Sequence, residues 1–138
     1  MQYRYLFKAK RKDNGEWVFG GLSYCEKTNA YFITNMGKDH ISYIGYSQEV
    51  YPETVCQCTG LKDKNGKLIW ENDICRRVLL PTKRIKTNFK ITYVPYKCCI
   101  SAIDLDGSNI TFLSDYINNQ YEVEVIGNIF DNQELLEE

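Results

Sequence analysis

One histidine, six cysteines and 18 Asp and Glu residues are the groups in this chain that could act as nucleophile, base or metal ligand. His40 stands in Gly37-Lys-Asp-His-Ile41, without a nucleophile elbow, a metal-binding histidine pair or a glycine-rich phosphate loop. A Cys or Ser brought beside it by folding would make a minimal nucleophile and base. No further motif supports that pairing, so an exposed or locally hydrogen-bonded imidazole is the preferred reading. The carboxylates are numerous, but acid and base roles require spatial pairing that sequence does not show. A zinc site needs sulfurs within about 4 Å of one another, given Zn to S bonds near 2.3 Å. Cys56 and Cys58 would share a strand face roughly 7 Å apart, and Cys98 and Cys99 would point to opposite faces. These four, with Cys25 and Cys75, read as reduced thiols acting as small buried hydrophobes. No metal, cofactor or catalytic residue is assigned, and the chain is read as a non-enzyme.

Charge is distributed unevenly. Residues 1-97 contain all 17 Lys and Arg against 9 acids, whereas residues 98-138 contain 9 acids and no Lys or Arg. The two parts carry +8 and -9, and Arg76 to Lys97 holds seven cations and no acid. If residues 85-93 form a strand, Arg84, Lys86 and Lys90 face one side while Ile85, Phe89, Ile91 and Tyr93 face the other. A functional reading places those cations on nucleic-acid phosphates with Tyr93 or Tyr96 stacking on bases. The favoured structural reading pairs them with Glu122 and Glu124 of the last strand, within the molecule or across an oligomer interface, because a pI of 5.9 lacks a basic excess.

The elements that must position these groups are strands. Hydrophobic residues at 43% and charged residues at 25% match a chain that folds. Alternating segments separated by turn residues, without long stripes of 3.6-residue period, predict antiparallel hairpins. Tyr3, Tyr5, Phe7 and Ala9 form one expected strand face, and Asp13 to Gly15 a turn before Trp17 and Phe19. A second turn near Lys27 to Asn29 precedes Tyr31 and Ile33, and Gly37 to Ser42 reads as a polar connection. Asn65-Gly66, between Leu61 and Ile69, is the strongest hairpin signal and predicts a two-residue turn. Further strands are expected over Asp73 to Leu80, Ile85 to Val94, Ile100 to Leu105, Ile110 to Leu113 and Tyr121 to Val125. Asp131 and Glu134 have capping-box spacing for a short C-terminal helix. A boundary near Pro52 divides an N-terminal β-rich lobe, 1-52, from a C-terminal lobe, 53-138, that shares its core.

Pro52-Glu-Thr-Val-Cys-Gln-Cys-Thr-Gly-Leu-Lys-Asp-Lys-Asn-Gly-Lys-Leu-Ile-Trp-Glu-Asn-Asp-Ile74 resembles the central signature of the YopX family of phage and prophage proteins. Arg4 to Val18 is similar to that family's opening and Glu124 to Leu136 to its closing segment. Asn72 departs from the family's Gly but is the side chain best able to enter a left-handed conformation. Trp70 replaces a more usual Tyr or Phe with the same aromatic packing role. The resemblance implies a mainly β or β-rich α+β fold, a small SH3-like barrel in the C-terminal part and a phage or prophage origin. It brings no catalytic residue. The signature's Lys62, Lys64, Asn65 and Lys67 read first as a solvated hairpin tip, and second as a ligand-contacting one.

Met1 to Lys12 has no continuous apolar region for a signal peptide, and no run approaches the roughly 18 apolar residues of a membrane span. A cytoplasmic location in a bacterial host is expected, with no membrane partner. The function expected first is an accessory protein that binds an unidentified host or phage protein or forms a homo-oligomer. Single- or double-stranded nucleic-acid binding through residues 76-97 is the alternative, and a small enzyme or small-molecule-binding barrel the second alternative.

Overall fold

A computed structural model describes residues 3-35, 46-80, 82-107, 110-117 and 121-137, so His40, the Gly37 to Ser42 connection and the side chain of Lys86 lie outside the described residues. The chain divides into two compact units, Met1–Cys58 and Thr59–Glu138.

In the first unit, β1 (Phe7–Lys10), β2 (Trp17–Cys25), β3 (Ala30–Asn35), β4 (Tyr46–Val50) and the start of β5 (Cys56–Lys62) lie in the order β4-β3-β2-β1-β5. Strand alternation sends Ala9, Val18, Ile33 and Val50 into a core, with Phe7, Leu22, Tyr31 and Val55 packed against it. Gly20 lies where any Cβ would stand 2.1 Å from the Thr34 carbonyl oxygen, so close backbone approach requires the glycine. The expected strand at Tyr3 starts later. Tyr3–Tyr5 form a 3-10 turn closed by the Leu6 N–H on the Tyr3 carbonyl, which removes Tyr3 and Tyr5 from the β1 face.

In the second unit, the end of β5 pairs with β6 (Leu68–Trp70). A five-stranded antiparallel sheet follows in the order β10-β9-β8-β7-β11, built from β7 (Asp73–Leu79), β8 (Arg84–Val94), β9 (Cys99–Asp104), β10 (Ile110–Phe112) and β11 (Tyr121–Asn128). Pro95 ends β8 and opens a 3-10 turn, as its missing N–H requires. One face carries Cys75, Phe89, Ile91, Ala102 and Val123 into a core completed by Ile69, Leu113 and Tyr116.

Among the described residues the expected SH3-like barrel is not formed. The sheet is open, with β10 and β11 at its two ends. Where a closing strand would continue past Phe112, the chain turns into the short helix α1 (Leu113–Tyr116), whose Leu113 and Tyr116 cover the core. Tyr116 packs edge-on against Phe89 at 4.8 Å and donates to Asp104 at 2.9 Å. The Arg77 guanidinium lies 4.1 Å from the Tyr116 ring centroid and 5.0 Å from that of Tyr121, bracing α1 against the sheet. Among the described residues the fold is therefore mainly β, α+β in detail, with two antiparallel sheets and one short helix. The expected C-terminal helix is a 3-10 segment, Gln133–Glu137. Asn128 Oδ1 accepts the N–H groups of Phe130 and Asp131, so Asp131 is held inside a turn rather than acting as a helix cap.

Candidate macromolecular interface

The signature hairpin closes on a three-residue loop rather than the expected two-residue turn. The Asp63 N–H donates to the Lys67 carbonyl at 2.8 Å, enclosing Lys64, Asn65 and Gly66, with Gly66 at φ 79°. Asp63 Oδ1 accepts from the N–H groups of Asn65 and Lys67, each at 2.9 Å. Its Oδ2 accepts from Val125 N–H at 3.0 Å, while Lys64 N–H donates to the Val123 carbonyl at 2.9 Å. The turn thus covers part of the outer edge of β11. Lys62 and Lys64 line a groove of about 170 Å³ with Asp63, Ile117, Tyr121, Glu122 and Val123, whereas Asn65 and Lys67 are exposed at the tip. Asp63 was not singled out from sequence, although Asp two residues before Asn-Gly is a known turn-forming pattern.

Strand order also corrects the proposed pairing of charges. β11 lies beside β7, where Glu124 faces Arg76 and Glu122 faces Val78, and β8 lies on the far side of β7. Arg84 and Lys90 are therefore not opposite the acidic strand. Lys64 supplies a cation instead, with its ammonium 3.9 Å from Glu122 and 3.8 Å from Glu124.

The binding residues expected on β8 are not brought together. Arg84 is exposed at its start, nine residues or roughly 30 Å from Tyr93. Lys90 and Tyr93 point to opposite faces by strand alternation. Tyr93 is 48% exposed near the β8–β9 turn, and Tyr96 within that turn is 76% exposed. Lys90 shares a face and a cross-strand row with Ile103 and Ile110, and Phe112 lies on that face opposite Ser101. Ile110 is 39% and Phe112 55% exposed, and β10 pairs only with β9 among the described residues. Lys97 reaches this edge from the β8–β9 turn, with its Nζ 3.5 Å from the Ile110 carbonyl and 5.8 Å from the Phe112 ring centroid. Sequence reading missed Lys97, Ile110 and Phe112 because their meeting depends on the pairing of β9 with β10.

Among the described residues, no group of three or more His, Cys, Asp or Glu is placed to hold a metal ion. Cys56 and Cys58 are buried in β5, Cys75 is buried in β7, and Cys98 is exposed at a left-handed position, φ 54°. The Thr28 side chain holds the Cys25 thiol below its ordinary value. No helix is long and apolar enough to cross a membrane among the described residues.

The two antiparallel sheets, the clasped signature hairpin and the open β10 edge define a β-rich protein with an exposed aromatic and cationic margin. Residues 6-137 match the model of the YopX protein family, and the chain belongs to that family. No curated protein matches it.

Proposed function

We propose that this YopX-family phage or prophage protein is a non-enzymatic accessory module that works by docking another macromolecule, protein in preference to nucleic acid, on the β10 margin. The observation that carries the reading is the gathering of exposed Ile110 and Phe112 on an edge strand, with Lys97 beside them and Lys90 two strands away on the same face. Exposed aromatic side chains bordered by a few charges suit a protein interface. A polyanion would call for a longer run of cations, and Arg84 lies at the distant end of β8. Solution mass and partner capture from infected or lysogenic cells test the reading, with wild type compared to an Ile110→Ser, Phe112→Ser variant. The expected result is an assembly or captured protein present with wild type and lost with the variant. A strict monomer that captures nothing reproducible would count against it.

A further inference from the structure

The β10 margin has a chemistry narrower than general adhesiveness. Its outer backbone edge has no neighbouring strand among the described residues. Such an edge offers N–H and C=O groups to an added strand. The face beside it bears apolar Ile103, Ile110 and Phe112 and the two cations Lys90 and Lys97. Lys97 already places its ammonium at the Ile110 carbonyl, where an incoming strand would have to meet it.

We infer that β10 accepts an extended, acidic segment of a partner protein as an additional strand, with apolar side chains against Ile110 and Phe112 and a carboxylate against Lys97. The inference rests on the reading of this margin as a docking surface and names its occupant. A second copy fits less well. Antiparallel pairing of two β10 strands about Thr111 would bring two Lys97 ammoniums to the same centre on one face, and like charges there oppose association. An acidic strand converts that same cation into an attractive contact.

A short labelled peptide alternating Glu and Val is titrated into the protein, in parallel with a Lys and Val peptide and a labelled oligothymidylate. Amide exchange is followed at Ile110 to Phe112. The expected result is preferential binding of the acidic peptide, weakened by salt, with slowed exchange at the β10 amides. Lys97→Gln is expected to weaken it by about threefold to tenfold, consistent with one partly exposed charge contact. Phe112→Ser should weaken it further while the remaining amide spectrum stays native. Equal binding of the basic peptide, preference for the oligonucleotide, or no binding by any probe would overturn the acidic-strand inference. Increased self-association of Lys97→Gln without peptide binding would also overturn it, assigning Lys97 to edge protection. If the acidic peptide fails but the Ile110→Ser, Phe112→Ser variant still loses assembly or capture, only the choice of occupant falls. If that variant changes neither, the docking reading falls as well.

Discussion

Asp63 Oδ2 accepts the backbone N–H of Val125 at 3.0 Å, joining the signature turn to a strand 62 residues later in the chain. Its other oxygen serves two N–H groups of its own turn, so one carboxylate sets both the turn and its dock. Asp63→Ala should cost about 2–4 kcal/mol, since several charge-assisted bonds at a buried site are lost together. Asp63→Asn should retain the turn better than the contact with Val125, because its amide nitrogen cannot accept that N–H. Urea unfolding measures both variants, and a change below about 0.5 kcal/mol for Asp63→Ala would contradict the clasp.

Asn72 occupies φ 70°, donates its N–H to Ile91 at 2.7 Å and accepts from Ile129 at 3.0 Å. Asn72→Gly should fall within about 0.5 kcal/mol of wild type, whereas Asn72→Val should lose about 1–2 kcal/mol through the left-handed backbone penalty. Thermal or urea unfolding of the pair distinguishes a backbone requirement from a side-chain one.

Lys64 couples to the acidic strand only modestly, because its ammonium and both carboxylates are about one-third exposed. A double-mutant cycle between Lys64→Glu and Glu124→Lys should give less than about 1 kcal/mol of coupling, reduced by salt. Lys90→Glu with Glu122→Lys should be nearly additive, because β7 separates their strands by roughly 10 Å. Strong coupling in the second cycle would contradict the strand order.

Alkaline pH should destabilise the second unit. Burial pushes the Cys75 thiol well above its ordinary 9.0, and burial with the bond to Asp104 raises Tyr116 above 10.0. Both groups release protons from the unfolded chain first, so their contributions are present below those ordinary values and are lost as pH rises through the raised ones. Unfolding midpoints from pH 8 to 11 should fall, and Cys75→Ala should flatten the onset of that fall despite lowering stability overall.

The hairpins were legible where turn chemistry is local. Asn65-Gly66 marks a reversal, in a three-residue loop rather than the expected two-residue turn, and Phe89 with Ile91 gave the buried face of β8. Helix α1 was not legible, since Leu113 to Tyr116 is too short for a helical period and is held by Phe89, Asp104 and Arg77 from distant strands. The same limit hid the open sheet and the place of β11 beside β7. Periodicity gives a residue's face, but the neighbour across that face is chosen by long-range pairing. It correctly separated Lys90 from Tyr93 by face, yet could not bring Lys97 and Phe112 to one edge.

A photoreactive phenylalanine analogue placed at Phe112, and separately at Tyr24 of the first unit, tests the docking margin most directly. Both native side chains are about half exposed, so the two sites offer comparable access. Irradiation in infected or lysogenic cells should give a discrete protein crosslink from position 112 that is absent from position 24. No crosslink at 112, or the same products from both positions, would contradict the assignment of macromolecular docking to the β10 edge.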